Sequence, residues 1–298
     1  MPEVTKKEAA SYGLDDLLYL MRRLRDPDGG CPWDLEQSYK TIVPSTIEEA
    51  YEVADAIERD DLSALKEELG DYLFQAVFYC QLAEEEGRFD MGTVIDGLVD
   101  KLVRRHPHVF PDGTLESRQD ESTTSQKAQV NQNWEALKQE ERNRKGLEGV
   151  FDDIPKALPA LVGAQKVQKR AAKQKFDWDS VSPVYEKIQE EIAEVKQAVL
   201  ETDALSVEEE IGDLLFSCVN LARHLKVDSE TALRRSTKKF TRRYLVMLAE
   251  FDKTQSERPF EQLNPEQMDR LWRQAKAVIE ANADELAVAS IDRDSSRL

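Results

Sequence analysis

Glu191 and Glu194 stand three residues apart, and so do Glu210 and Asp213. Residues at this spacing share a face of a helix, so two such helices packed together would direct four carboxylates into one pocket. Four convergent negative charges need a cation between them. An all-oxygen donor set suits a hard divalent ion such as Mg2+, with Mn2+ as the other metal it would accept.

The constellation occurs a second time, earlier in the chain. Glu49, Glu52, Glu68 and Asp71 precede Glu191, Glu194, Glu210 and Asp213 by a constant 142 positions (191 − 49, 194 − 52, 210 − 68, 213 − 71). The neighbouring text repeats with them, EELGDYLFQAVF at 67–78 against EEIGDLLFSCVN at 209–220. In a chain that is 34% charged, one acidic pair on a helix is ordinarily a solvated face. Two copies with the same gap between the acidic pairs (68 − 52 and 210 − 194, both 16) hold the carboxylates in register while the intervening residues diverge. Duplication of a plain structural pattern would leave the same trace, and that reading stands beside the metal site.

A length of 298 residues with an internal offset of 142 predicts two domains of ordinary size. A hydrophobic fraction of 40% is enough for folded cores. The net charge of −18 and the pI near 4.8 argue against a nucleic-acid-binding surface, which needs a basic footprint. A protein so acidic that handles phosphates must supply cations locally. Lys239, Arg242 and Arg243 in KKFTRRY, and Lys101, Arg104 and Arg105 in KLVRRHP, are such cations, related by 138 positions (239 − 101, 242 − 104, 243 − 105). Lys239 and Arg243 share a helix face. They serve either as surface charge pairs or as a phosphate clamp that neutralises charge growing on transferring oxygens.

Helical periodicity predicts the elements that must position these groups. An opening helix at 14–25 is followed by CPWD (31–34) and a loop to Pro44; Ser45 with Glu48 then reads as a capping box for the helix carrying Glu49 and Glu52. Further helices are expected at 62–86, 91–105, 128–145, 161–174, 184–201, 206–225, 229–248 and 265–281, with Ser206 and Glu209 as a second capping box. Gly70 and Gly212 recur inside the acidic helices, which suggests close backbone approach. No strand alternation persists, so the fold class is all-α: two tandem helical bundles, at 14–110 and 154–281, joined by a linker with a charged helix at 111–153 and ending in a tail at 282–298. Cys31, Cys80 and Cys218 form no CxxC pair, and the latter two sit in apolar helical text expected to bury them. With neither a membrane span nor a signal core in the sequence, a cytoplasmic protein is expected.

Taken in order, CPWD, STIEEAYEVADAI, EELGDYLFQAVFYCQLAEEEGRFD, DKLVRRHPHVF, NWEALKQEER, AQKVQKRA, FDWD, EEIGDLLFSCVNLARHL and KKFTRRY resemble the MazG-type nucleoside triphosphate pyrophosphohydrolases over 14–279. The resemblance implies an all-α bundle that binds Mg2+ and cleaves NTPs, dNTPs included, between the α and β phosphates to give NMP and pyrophosphate. It implies that Glu191, Glu194, Glu210 and Asp213 hold the metal, that Glu190 orients the site, and that Lys187, Lys239, Arg242 and Arg243 meet the triphosphate. Trp272 and Lys276 match a nucleotide-contacting C-terminal helix; Trp272 would stack on a base or simply anchor its helix. Ser206 and Thr237 depart from the family pattern, where lysine and asparagine can stand, without removing a metal ligand.

The first copy retains Glu48, Glu49, Glu52, Glu68, Asp71, Lys101 and Arg105 as a second potential site, yet Ser45 stands where the other copy has Lys187. The second copy is therefore expected to be the main active site. A di-iron bundle would need Glu-x-x-His pairs and a P-loop enzyme would need GxxxxGK[ST]; the sequence has neither. The alternative reading is a non-catalytic sensor of Mg-nucleotide or a protein-interaction scaffold. Family resemblance further implies a homodimer formed by helix packing.

Overall fold

The computed structural model describes residues 11–118, 141, 142, 144, 146, 149–201, 203–254 and 259–295, with 282–295 as helical backbone. The fold is all-α, and no strand occurs among the described residues. The chain divides into two compact units, Met1–Glu141 and Arg142–Leu298. The dividing point falls within the segment expected to be a linker, and the charged helix expected at 128–145 lies largely outside the described residues.

The first unit comprises α1 (Leu14–Leu24), the short α2 (Pro32–Glu36), α3 (Tyr39–Glu58), α4 (Leu62–Glu85) and α5 (Met91–Arg105). The second comprises α6 (Ala160–Lys173), α7 (Ser182–Glu201), α8 (Ala204–His224), α9 (Ser229–Lys253), a 3-10 turn (Phe260–Gln262) and α10 (Pro265–Ser295). Each unit is built on one tight antiparallel pair, α3 with α4 and α7 with α8. Around these pairs, α1 and α5 pack on α4, α6 packs on α8, and α9 packs chiefly on α10.

The helix starts obey the repeat. Asp61 caps α4 by accepting from the amides of Ser63 and Ala64, and Asp203, 142 positions on (203 − 61), caps α8 by accepting from Leu205. Asp90 accepts from the Thr93 amide at the start of α5, and Asp228 accepts from the Thr231 amide at the start of α9, the 138 offset of the basic helices (228 − 90). A carboxylate at this position satisfies amides that lack intrahelical partners and complements the positive end of the helix dipole.

Two expected caps are corrected. The helix carrying Glu49 begins at Tyr39, capped by Ser38 with Thr41, so Ser45 and Pro44 both lie inside it. Ser38 N–H donates to Thr41 Oγ1 at 2.8 Å, a reciprocal box that starts the helix early enough for proline to be accommodated near its N-terminal end. Ser206 lies within α8 and donates its hydroxyl to the cap residue Asp203. Other expectations change too: α10 continues through the predicted tail to Ser295, and Cys218 is exposed whereas Cys80 is buried. A Cβ added at Gly70 or Gly212 would meet nothing within 4 Å, so neither glycine marks a close approach within its unit.

The cores of the two units differ. In the first, Met21, Ile42, Val77, Phe78, Cys80, Leu82 and Met91 form one buried cluster. Arg25 lies over the Phe78 ring, 5.4 Å from its centre, while donating to both carboxylate oxygens of Glu85 and to the Asp34 carbonyl. In the second, the buried apolar residues are smaller or fewer: Val184, Ala198, Val219, Met247 and Ala275. Phe78 is thus the large side chain on which the first unit closes. Phe78→Ala should cost about 3–5 kcal/mol, as deletion of a fully buried phenyl leaves a cavity that helices collapse into only partly. Guanidinium denaturation of the full chain, with hydrogen exchange read in α4, checks the loss and its location.

Candidate active site

The α7–α8 pair brings three of the four predicted ligands together. Oxygens of Glu191, Glu194 and Glu210 all lie within 4.8 Å of one another. Glu191 is 3% exposed, and its Oε2 is buried without a hydrogen-bond partner. An unpaired carboxylate oxygen in such a place is costly unless a cation meets it. Its other oxygen is engaged: Lys187 Nζ lies 2.7 Å from Glu191 Oε1 and 2.8 Å from Glu190 Oε1. These two carboxylates hold the Lys187 ammonium well above the ordinary lysine range, so it stays charged. The Glu194 carboxyl is pushed up, first by loss of surrounding water and then by its close neighbour Glu191. Crowded carboxylates, an orphaned buried oxygen and an oxygen-only donor set fit a hard divalent cation.

Asp213 stands outside that tight group but lines the same cavity as Glu191 and Lys187. This cavity, about 670 Å3, is walled by α6, α7, α8 and the segment 175–178. Phe176, Trp178 and Phe216 present exposed aromatic surface to it, and Gln168, Ser217, Asn220 and Arg223 supply polar groups. The FDWD segment is fastened here by Asp177, which accepts two hydrogen bonds from the Arg223 guanidinium and lies 3.0 Å from His224 Nε2. Arg223 foremost, then His224, holds the Asp177 carboxyl below its ordinary value. Sequence reading noticed FDWD as an echo of CPWD and missed its role as a cavity wall, since the partners of Asp177 lie 46 and 47 residues away.

None of Lys239, Arg242, Arg243, Trp272 and Lys276 lines this cavity. Lys239 and Arg242 are exposed and Arg243 is half-buried on α9. Trp272 packs on Phe240, with ring centres 5.2 Å apart, and Phe240 stacks on Tyr244. Lys276 lies 3.8 Å from Glu280, and Thr237 donates its hydroxyl to the Leu233 carbonyl.

The first unit repeats the carboxylate group. Glu49, Glu52 and Glu68 have oxygens within 4.8 Å of one another, with Glu48 exposed beside them. Loss of surrounding water, then the charges of Asp71, Glu52, Glu68 and Glu48, pushes the Glu49 carboxyl up. Asp71 thus acts on Glu49 through its charge. Four residues that line the cavity on α8, namely Phe216, Ser217, Asn220 and Arg223, correspond by the 142 offset to Phe74, Gln75, Phe78 and Gln81. Phe78, Arg25 and Met21 occupy this region as packed core. Among the candidate cations, Lys101 is half-buried, while Arg104 and Arg105 both donate to Glu141.

Comparison with known proteins now identifies the class. The MazG nucleotide pyrophosphohydrolase domain matches residues 37–110 and 180–245, one match on each carboxylate-bearing pair. The chain is 48% identical to the nucleoside triphosphate pyrophosphohydrolase of Escherichia coli (strain K12) over 88% of its own length and 97% of that protein. It is 40% identical to the nucleoside triphosphate pyrophosphohydrolase/pyrophosphatase MazG of Thermotoga maritima over 88% and 95%. It is also 38% identical to the uncharacterized protein YabN of Bacillus subtilis over 93% of this chain and 54% of YabN. The chain belongs to the MazG family of nucleotide pyrophosphohydrolases.

The Glu141 link provides a pH test. Arg105 foremost, then Arg104, lowers the Glu141 carboxyl to about 2 from an ordinary 4.5. A group whose pKa falls on folding stabilises the fold fully above its unfolded value and loses that contribution as pH drops through the folded value. Between about pH 4.5 and 2 the Arg104–Arg105–Glu141 link should therefore weaken, and helicity followed by circular dichroism through this window should fall. Glu141→Gln should reduce that fall and lower stability at neutral pH.

Proposed function

We propose that the second unit hydrolyses nucleoside triphosphates, deoxynucleotides included, at the bond between the α and β phosphates, giving NMP and pyrophosphate. One observation carries this reading: Glu191, the buried member of the carboxylate group, and Asp213 open on the same cavity as the exposed aromatic rings. Phosphate chemistry and a seat for a nucleoside thereby share one space.

Each residue has a role in this reading. Glu191, Glu194 and Glu210, with Asp213, would hold Mg2+ or Mn2+, which supplies Lewis acidity toward phosphoryl oxygens and a more acidic bound water. Glu190 and the carboxylate oxygens left over accept hydrogen bonds from the attacking water and orient it. Lys187, fully protonated between Glu190 and Glu191, brings fixed positive charge to the cavity, where it offsets charge on the phosphate chain. Lys239, Arg242, Arg243 and Lys276 meet the outer part of the triphosphate, and Trp272, backed by Phe240, steadies the helix that carries Lys276. Phe176, Trp178 and Phe216 offer faces on which a base stacks. This is a different seat from the one expected at Trp272.

The first unit has no comparable nucleoside seat in this reading. Phe78 and Arg25 fill the region, and the second unit is the main active site. Both copies also keep apolar residues exposed at matching positions: Val43 and Tyr185, Ile57 and Val199, Leu69 and Ile211, Leu73 and Leu215. Exposed apolar side chains repeated in register on both helix pairs support a homodimer formed by helix packing. With no helix among the described residues long and apolar enough to cross a membrane, a cytoplasmic setting is consistent with this reading.

Product analysis tests the reaction directly. With Mg2+, a panel of NTPs and dNTPs should yield NMP and pyrophosphate, and a chelator should abolish turnover. NDP with phosphate would mean that a different bond is cut, and binding without turnover would favour the sensor. Glu191→Gln should lower turnover by about 100-fold or more, the scale of losing one group at a centre of developing charge. It should also weaken Mn2+ binding measured by calorimetry. Glu49→Gln should leave most of the turnover intact; the reverse outcome would move the active site to the first unit.

A further inference from the structure

The segment that carries Trp178 is fastened through one carboxylate. It leaves α6 at Lys175, where the backbone turns left-handed with φ 65°, and reaches α7 without a helix of its own. The Phe176 amide ties its start to α6 by donating to the Ala171 carbonyl at 3.1 Å. Phe176 is 84% exposed and Trp178 42%, so neither ring is locked in an apolar core. Asp177, between them, does the fixing: its Oδ1 accepts from the Trp178 amide at 3.0 Å, and its two oxygens accept from the Arg223 guanidinium on α8. His224 Nε2 also lies 3.0 Å from Asp177 Oδ1. Arg223 is oriented in turn from its own helix, because Asn220 Oδ1 accepts from its Nε at 3.0 Å and its Nη2 at 2.7 Å.

A helix pair of this kind forms without such a clamp. In the first unit the corresponding segment is CPWD, with Pro32 at the place of Asp177, and Gln81, 142 positions before Arg223 (223 − 81), donates to Glu85 within its own helix. An ion pair whose side chains are 12% and 26% exposed is also a weak source of stability, since taking two charges out of water costs much of what their attraction returns. What it does supply is geometry: a guanidinium that meets both oxygens of a carboxylate fixes distance and angle together. Asp177, Trp178, Asn220 and Arg223 all line the cavity that Glu191 and Phe216 also line. We propose that Asp177 and Arg223 are positioning residues for the nucleoside, holding the rings of Trp178 and Phe176 at the cavity wall so that a base stacks on a surface already in place. The assignment rests on the cavity being the nucleoside seat of the pyrophosphohydrolase site.

Preorganisation of this kind acts on binding and leaves the chemical step alone. A loosened segment must be ordered when the base arrives, and that entropy is subtracted from the affinity. The stacked base is remote from the bond between the α and β phosphates, so the weakened contact is shared by bound substrate and transition state. KM then rises while kcat holds. The effect passes through the rings, and it vanishes where either the ring or the base is missing.

The test is a double-mutant cycle in KM, using the fastest nucleotide of the product panel. Asp177→Asn keeps an acceptor but loses the charge that pairs with Arg223; it should raise KM by about three- to tenfold and leave kcat within about twofold. Trp178→Ala should raise KM by about tenfold, within the range for a base stacked on an aromatic side chain. The two together should come close to Trp178→Ala alone, because Asp177 acts through the ring that is gone. Inhibition by inorganic tripolyphosphate, which has no base, should be the same in Asp177→Asn as in the native enzyme. Arg223→Lys keeps the charge without the paired geometry and should match Asp177→Asn, so the cycle survives if one of these variants misfolds. Losses that multiply in the double variant would overturn the proposal, since Asp177 would then act independently of the ring. Tripolyphosphate inhibition that weakens in step with KM would overturn it too, by placing the pair on the phosphate chain or on the fold as a whole. So would an unchanged KM in Trp178→Ala, a variant whose exposed ring is not needed for the core. Hydrolysis of no nucleotide by the native enzyme would remove the parent reading itself, a result distinct from any of these.

Discussion

Mutual repulsion among carboxylates is the constraint on which each unit is organised. Glutamates whose oxygens approach within 4.8 Å oppose the packing of the helices that bear them. Something must hold the backbone against that force. Here it is the long antiparallel pair, capped at fixed points by Asp61 and Asp203, with enough helix beyond the acidic turn for side chains to pack. In the second unit Lys187 takes up part of the charge from within the same helix, whereas Ser45 leaves the first unit without that relief. The balance of charge at the site is thus set within two helices, and the rest of each unit serves to keep those helices together.

Against this shared scaffold the copies part company at a few positions of α4 and α8. Phe78 and Asn220 occupy equivalent places, but a buried phenyl draws Met21, Leu82 and a stacked guanidinium around itself, while a carboxamide must find hydrogen bonds. Arg25 and Arg223 illustrate the same divergence. One guanidinium lies over an aromatic ring and is neutralised by Glu85; the other braces a loop through Asp177 and orients Asn220. Small substitutions in a duplicated bundle are sufficient to convert a packed interior into a walled space.

Much of this was legible in the sequence, because it is local. Helical spacing, repeated at a fixed offset, pointed to the acidic faces, of which Glu191, Glu194 and Glu210 come together while Asp213 stands apart, and apolar periodicity located the main helices. Boundaries were less legible: Ser45 and Ser206 have the pattern of caps but lie inside helices, since Ser38 and Asp203 reach free amides first. The cavity was not legible at all. It depends on Gln168, Asp177, Asn220 and Arg223, which come from different elements, and no spacing rule announces a hydrogen bond between residues 46 or 48 apart. Trp272 attracted attention because it is large and follows a recognisable motif, yet its ring rests on Phe240 outside the cavity wall.

The hollow in the second unit also bears on how that unit survives in solution. A space of about 670 Å3 forgoes the dispersion contacts that the packed cluster around Phe78 makes in the first unit. A molecule that occupies the space adds its binding free energy to the folded state alone. The second unit is consequently the one whose persistence depends on what fills its hollow, so that scarcity of its ligands would register as a shorter lifetime of the protein.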